Sequence, residues 1–484
     1  MEDLISGLPD ELLHIILLRL RSTRAAAQTS VLSRRWRRLW TNLPEIFVDA
    51  AQPKATILGA VDGALAACSA PAVDRLDVSI NCTGLRVRAC QVEPWLRFAS
   101  NRQMRTLHVD VPPQKRWRIL TPKSEREEEE LELPVWNSVT SITLKIDYGW
   151  RLKLLPAGMF TALIDIEINN ATVDSRELGT LVSSRCPRLR NLSLCIKLVA
   201  VSNIYMRSDS LQSLSFRIQN AKRLELQAPK LEAITIHEAI SLHISAPELA
   251  KVTWNGNVAY HPHSHQLINV ARHLKLLESD SNRVVWSLVQ RFDEVEELVL
   301  DVDGFSKGTL GLYTSFLKEN ITLPKSEKLH ISLGDYHSFA SGMLHLLRIC
   351  NRTRKLSVNV CRSADPLQKK HISCLLSCHC RLPMSTSMTD GVNLSLLEEV
   401  EIRCFRSSHG ELQFLETLSR CTAEILEKLV IYTDPFEKGT SLTKEICKNI
   451  RKMFRPNLDV IFILYSDERL VSAYIRLTPT VLKT

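Results

Sequence analysis

No apolar run in this 484-residue chain approaches the roughly 20 residues that a membrane-spanning helix needs, so a helical membrane protein is not expected. C-x2-C pairs occur nowhere, which excludes a RING-type zinc site and leaves no zinc-finger spacing. P-loop and dinucleotide-binding fingerprints are missing as well. His237-Glu238 begins an H-E-x-x-H motif, but position 241 is Ser, so the zinc-protease arrangement fails. No motif of stacking aromatics for RNA is present, and a net charge of +9 is modest for this length; nucleic acid is not the expected partner. The start, Met1-Glu2-Asp3, is acidic and leads into a capped helix pattern, which does not read as a secretory leader.

What is present is ordinary in bulk: 45% hydrophobic and 24% charged residues, enough for two or three domains with a large core. Thirteen cysteines, an odd number scattered from Cys68 to Cys447, read as buried reduced thiols of a cytoplasmic or nuclear protein. Six Asn-x-Ser/Thr sites, at Asn81, Asn170, Asn191, Asn320, Asn351 and Asn393, are then coincidental.

The first fifty residues are the most informative. Leu8-Pro9-Asp10-Glu11-Leu12-Leu13 leads through Ile16, Leu17 and Leu20 to Thr29-Ser30-Val31-Leu32-Ser33-Arg34-Arg35-Trp36-Arg37-Arg38-Leu39-Trp40. The pattern predicts three short amphipathic helices. Ser6 can cap the first, with Pro9 in its first turn; Ser22 or Thr23 can cap the second and Ser33 the third. So small a unit cannot bury this much Leu and Trp by itself, and the leftover apolar face points to a partner. The Arg34 to Arg38 cluster reads as a solvated helix face.

These two blocks resemble an F-box, and the chain is most similar to plant F-box proteins that join this module to leucine-rich repeats and a terminal FBD domain. One departure is visible: the turn after Leu20 reads Arg21-Ser22-Thr23-Arg24, where relatives usually carry a proline. The resemblance implies that Leu8, Pro9, Leu12, Leu13, Ile16, Leu20, Val31 and Trp36 are buried partly internally and partly against a Skp-family adaptor, and through it a cullin.

Beyond residue 70 a short alternating unit recurs. Leu76-x-Val78, Leu107-x-Val109, Ile142-x-Leu144, Leu192-x-Leu194 and Leu214-x-Phe216 are followed later by Leu298-x-Leu300, Leu329-x-Ile331, Leu356-x-Val358, Val400-x-Ile402 and Leu429-x-Ile431. Period-two alternation predicts strands with one buried face. Separations mostly in or near the range of 20 to 29 residues fit leucine-rich repeats stacked as a solenoid. Between Leu214 and Val252 the spacing tightens to two strands per turn, with Ala228-Pro229-Lys230-Leu231 and Ala246-Pro247-Glu248-Leu249 as near copies of one turn. The acidic run Glu125 to Glu130 reads as a solvated loop rather than an element.

From Leu394 the pattern is strand, helix, strand, then a helix over about 442–454 and a strand over 458–465, which resembles an FBD domain and would close the open end of the repeats. The expected architecture is α/β: a three-helix F-box at 1–48, a connector helix or linker at 49–70, and an irregular leucine-rich-repeat solenoid at 71–390. A charged insertion falls at about 115–134. An FBD-like α+β cap follows at 391–466, with a tail at 467–484.

Candidate chemistry has a plainer reading at each place. Gly304-Phe305-Ser306-Lys307-Gly308 matches G-x-S-x-G after a strand, but every repeat here is a strand followed by a turn, so a Gly-containing turn is favoured. His371, Cys374, Cys378, His379 and Cys380 could hold zinc, yet no second pair follows, and a repeat helix with buried thiols is favoured over metal. His261, His263 and His265 beside Pro262 suggest an exposed loop. Lys444, Lys448, Arg451, Lys452 and Arg455 form a basic helix face read as solvated.

The resemblance implies a non-catalytic substrate-recognition subunit of an SCF-type ubiquitin ligase, and no cofactor, metal or membrane is expected. Its repeats would bind an unknown target protein through Lys145, Lys197, Arg217, His237, Lys251 and Asp301. An interaction scaffold that delivers nothing for ubiquitination is the second class. An enzyme using Ser306, or a metal protein using the Cys374–Cys380 cluster, is the third.

Overall fold

The computed structural model describes residues 8–48, 57–80, 82, 84–113, 129–154, 158–237, 240–255, 260–280, 286–301, 323–334, 352–361, 394–421, 425–433, 444–464 and 473–476. Ser6, the Ser306 motif, the Cys374–Cys380 cluster and residues 114–128 lie outside these. The fold is mixed α/β. It divides into two compact units, residues 1–248 with 264–270, and residues 249–263 with 271–484.

The first unit begins with three short helices, α1 (Asp10–Arg19), α2 (Thr23–Gln28) and α3 (Trp36–Leu39), the last flanked by single 3-10 turns. Two longer helices follow, α4 (Ile57–Ala67) and α5 (Ala89–Ser100), tied by a hydrogen bond of 2.9 Å from Trp95 Nε1 to Asp62 Oδ1. Helix α6 (Ser175–Thr180) is capped by the Asp174 carboxylate, which accepts from the Arg176 and Glu177 amides.

Twelve strands of this unit run along the chain: β1 (Glu45–Val48), β2 (Arg75–Ser79), β3 (Thr106–Asp110), β4 (Glu129–Leu133), β5 (Ser141–Lys145), β6 (Trp150–Leu154), β7 (Asp165–Val173), β8 (Asn191–Arg207), β9 (Ser213–Gln227), β10 (Ala233–Ile236), β11 (Ser241–Ser245) and, past the break at 249, β13 (His265–Ile268). The strands pair in parallel and in register. Ile46, Leu76, Leu107, Ile142, Ile166, Leu192, Leu214 and Ile234 occupy one row. Two residues on, Val48, Val78, Val109, Leu144, Ile168, Leu194, Phe216 and Ile236 form a second. All are buried. Because side chains alternate across a strand, a one-residue slip would expose a whole row, so the alternation fixes the register.

Asn170 and Asn220 take positive φ values of 64° and 63°. Asn tolerates that left-handed conformation better than a branched residue. At Asn170 the β7–β8 register shifts, and at Asn220 β9 passes from its first half to its second. The second halves of β8 and β9 then pair through Ile204 and Leu224, and β9 continues to β11 and β13. The tightly spaced strands after Leu214 thus form a second parallel row, β8 and β9 with β11 and β13, beside the first.

The run Glu125 to Glu130 departs from the loop expected of it. Its last two residues open β4, which pairs with β6 and buries Leu131 and Leu133. Acidic residues on alternate positions leave the leucines free to face inward, so net charge was a poorer guide here than periodicity.

In the second unit, β12 (Lys251–Asn255), β14 (His273–Asp280), β15 (Glu294–Asp301), β16 (Lys325–Gly334), β17 (Lys355–Cys361), β18 (Glu399–Phe405), β19 (Lys428–Thr433) and β20 (Asp459–Leu464) pair in parallel in that order. Val252, Leu277, Leu298, Leu329, Leu356, Val400, Leu429 and Val460 share one buried row. A final strand, β21 (Ala473–Arg476), turns back antiparallel to β20. Helix α7 (His409–Cys421) starts with a reciprocal cap: the buried Glu411 carboxylate accepts from the Ser408 amide at 2.7 Å, and Ser408 Oγ accepts from the Glu411 amide.

The basic face expected on the next helix, α8 (Lys444–Met453), is corrected at two positions. Arg451 is buried and donates to the Arg455 carbonyl at 2.6 Å, while Arg455 donates to the Leu426 carbonyl at 3.1 Å. Arg451 thus supplies a donor to a carbonyl just past the helix end, and Arg455 ties that segment to the chain just before β19.

Candidate partner-binding surfaces

Helix α1 has two apolar sides. Leu13 and Leu17, four residues apart, pack with Ala26, Trp36, Leu39 and Leu43 into the core of the three-helix module, with Leu8, Leu18 and Trp40 against it. Leu12, Ile16 and Leu20, also spaced by four, stand in solvent together with Ile15. Across the module Val31 is 86% and Leu32 63% exposed. The eight predicted contact residues therefore separate: Leu13 and Trp36 are core, Leu8 is half-buried, and Pro9, Leu12, Ile16, Leu20 and Val31 are exposed. Ile15 and Leu32 were missed. Both sit in the same apolar runs, and they could have been found by asking which side of α1 the core leaves uncovered.

Local chemistry sets this geometry. Pro9 ends up as the residue before α1 rather than within its first turn, and Asp10 and Glu11 occupy that turn, where acidic side chains suit the helix dipole. Ser22 caps α2 by accepting from the Ala25 amide at 3.3 Å. Ser33 caps nothing: α3 starts at Trp36 after Arg35, whose guanidinium Nε donates to Asp10 Oδ1 at 2.8 Å and so ties α3 to the start of α1. The buried Thr23 Oγ1 accepts from the Phe47 amide at 2.9 Å, fastening α2 to β1 and hence the module to the strands.

On the polar side of the strands in the first unit, Lys145, Asn169, Cys195 and Arg217 share one row. Lys145 has Asp110 as a partner at 4.0 Å. His237 follows at the end of β10, with its amide on the Phe216 carbonyl and its Nε2 3.3 Å from Ser215 Oγ. Burial, and next the Arg217 charge, push the His237 imidazole below its ordinary value, which favours the neutral ring. Lys197 projects two residues beyond Cys195 on the same side of β8. Lys251 belongs to the second unit, as does Asp301, of which only the backbone pairing with Asp280 and Ser332 is described.

The His261–His265 stretch is corrected in part: His261 and His263 are exposed, but His265 is buried as the first residue of β13. Among the described residues no group of three or more His, Cys, Asp or Glu is placed to hold a metal ion. The seven cysteines whose side chains are described are all free, and of these only Cys186 and Cys447 are buried. Burial pushes the Cys186 thiol up to about 12, so it is unreactive. No helix among the described residues is long and apolar enough to cross a membrane.

Two clefts stand beside strand faces. One of about 650 Å³ lies at the C-terminal ends of β16 to β19, where Arg403 donates to Glu401 at 2.8 Å and stacks over the Tyr432 ring. Another, of about 520 Å³, lies between α6 and the second half of β8.

Comparison with known proteins agrees with this arrangement. Residues 5–47 match the F-box domain family. The chain is 25% identical to the F-box/FBD/LRR-repeat protein At5g22700 of Arabidopsis thaliana, over 49% of this chain and 54% of that protein. It is 27% identical to the F-box/FBD/LRR-repeat protein At5g22660 of the same plant, over 46% and 47% respectively. The putative FBD-associated F-box protein At5g38570 is 33% identical over 22% of this chain and 28% of its own. The chain thus spans about half or less of the length of the curated relatives it matches. An F-box domain heads this chain, and over about half of its length the chain is similar to plant F-box/FBD/LRR-repeat proteins.

Proposed function

We propose that the chain is a substrate-recognition subunit of an SCF-type ubiquitin ligase. The observation that carries this is the exposure of Leu12, Ile15, Ile16 and Leu20 along α1, and of Val31 and Leu32 elsewhere on the same module, whose own core is already filled by Leu13, Leu17 and Trp36. Apolar side chains this clustered mark a protein interface. The F-box match supports a Skp-family adaptor as its occupant, with a cullin beyond it. Leu8 and Pro9 would border that interface, while Leu13 and Trp36 act through it by holding α1 and α3 in place.

The parallel rows of strands would be leucine-rich repeats of a solenoid over 71–390. The segment 391–466 would be the FBD-like cap, in keeping with the relatives' names. Lys145, Lys197, Arg217 and His237 then lie on a polar strand face suited to a target protein, with Lys251 on that of the second unit and Asp301 at the end of β15. The chain itself would perform no chemistry and need no cofactor. It would act by proximity, holding a target near a charged conjugating enzyme. A cytoplasmic or nuclear site of action goes with that role.

The test is reconstitution. The full chain, the adaptor, the cullin scaffold and a conjugating enzyme should transfer ubiquitin to a captured target, and removal of residues 1–45 should stop it. Adaptor binding without any transfer to co-purified proteins would instead mark a scaffold.

A further inference from the structure

The net charge of the chain is unevenly placed. Residues 175–223 contain nine Lys and Arg against two Asp and Glu, so this stretch alone carries +7 of the total of +9. It spans α6, β8 and most of β9. Of its two acids, Glu177 is used internally, accepting from the Leu154 amide at 3.0 Å. Just past its end, Glu225 pairs with Arg223 at 3.1 Å. Arg176, Lys197, Arg207, Arg217 and Lys222 are exposed, with no acidic partner within 4.0 Å among the described residues.

The same corner exposes apolar surface. Val199, Val201 and Tyr205 stand outward along β8, Tyr205 at 58%. Beside them the 520 Å³ cleft is lined by Ser175, Arg176, Thr180, Ser183, Ser184, Ser202, Asn203 and Tyr205, with Gly179 at its base and no carboxylate. Two of its hydroxyls are spoken for as donors, Thr180 to the Arg176 carbonyl and Ser202 to the Ala200 carbonyl. Ser183 Oγ accepts from the Arg207 amide and keeps its own proton to donate. A basic, donor-rich cleft next to a branched-aliphatic strip is complementary to acidic side chains set among apolar ones.

We propose, resting on the target-binding role assigned above to the strand face, that the α6–β8–β9 corner docks an extended acidic segment of the target protein. Aspartate and glutamate side chains would meet Arg176, Arg207, Lys197 and Arg217, and aliphatic ones would cover Val199, Val201 and Tyr205. The exposed aliphatic residues favour a protein over a nucleic acid, whose bases would call for stacking platforms and whose backbone would use the cations alone.

The test uses the full chain and three labelled probes: a twelve-residue peptide alternating Glu with Val and Leu, its Gln counterpart, and a single-stranded thymidine oligonucleotide. Fluorescence anisotropy at low salt should show the acidic peptide bound about tenfold more tightly than the neutral one. Combined R176Q, R207Q and R217Q should remove that difference, and V201E should weaken the acidic peptide several-fold while leaving the melting temperature unchanged. Equal binding of the two peptides, or binding unchanged in both variants, overturns the proposal, as does tighter binding of the oligonucleotide. Adaptor pull-down from the same preparation keeps the two readings apart. Its failure would remove the ligase role and leave the peptide result standing.

Discussion

The three-helix module and the strand rows expose apolar surface very differently. Six large apolar side chains stand in solvent within residues 12–32. All the other described residues together expose seven, three of them on β8 at the basic corner. In the strands, alternation gives each apolar side chain a neighbour of the same kind on the next strand. In α1 an apolar side chain on the wrong side of the helix has no such neighbour. Among the described residues, exposed apolar surface is therefore concentrated at two places, and those are the two places where partners are proposed.

The sharpest way to break that comparison is to exchange a core residue for a surface one on the same helices. Trp36→Ala should cost about 3–5 kcal/mol of stability by opening a cavity, and a urea melt of the full chain should show an early transition. Leu12→Ala on the exposed face should leave that melt within about 0.5 kcal/mol. Equal losses would mean that the outward side of α1 is covered within the chain.

At the basic corner the packing is tight for a different reason. A Cβ at position 179 would lie 2.5 Å from the Tyr205 backbone oxygen, so α6 can approach β8 only through a glycine there. Gly179→Ala should destabilise the first unit by about 1–3 kcal/mol, measured by thermal melting, and weaken any ligand of the adjoining cleft. An unchanged melt would show that α6 can move away without loss.

The smallest effect concerns the second unit, whose polar rows neutralise themselves. The Glu399 carboxyl lies between Lys428 at 2.5 Å and Lys355 at 3.2 Å. Above all the hydrogen bond from Lys428 holds it below the usual carboxylate range. A depressed folded value means that the stabilisation is present at neutral pH and is lost as pH falls through that range. Both lysines are well solvated, so the contribution is screened to below about 1 kcal/mol. Glu399→Gln should flatten the acid side of the stability profile by that amount and leave neutral-pH binding unchanged.

Much of this was legible in the sequence. Every alternating pair from Leu76 to Leu429 falls on a register position of a parallel strand, because burying one face leaves only one pairing without penalty. Where charge was weighed above alternation, β4 was lost. The roles of Arg451 and Arg455 were hidden because a helix's basic face looks the same whether its guanidiniums meet water or carbonyls. The exposed apolar surface of the module was only partly visible: Leu12, Ile16, Leu20 and Val31 came from the resemblance, while Ile15 and Leu32 needed the packed core to show which side was left over. The basic corner is a long-range property. Lys197 and Arg217 come from neighbouring paired strands and Arg176 from the helix before them, and no local window contains all three.

The most direct test of the central claim is the affinity of the full chain for a purified Skp-family adaptor, measured by calorimetry for the wild type and for Leu12→Asp combined with Val31→Asp. Tight wild-type binding, weakened at least about 100-fold in a variant that melts normally, is the expected result. Binding that survives both substitutions would contradict the assignment of this face to the adaptor.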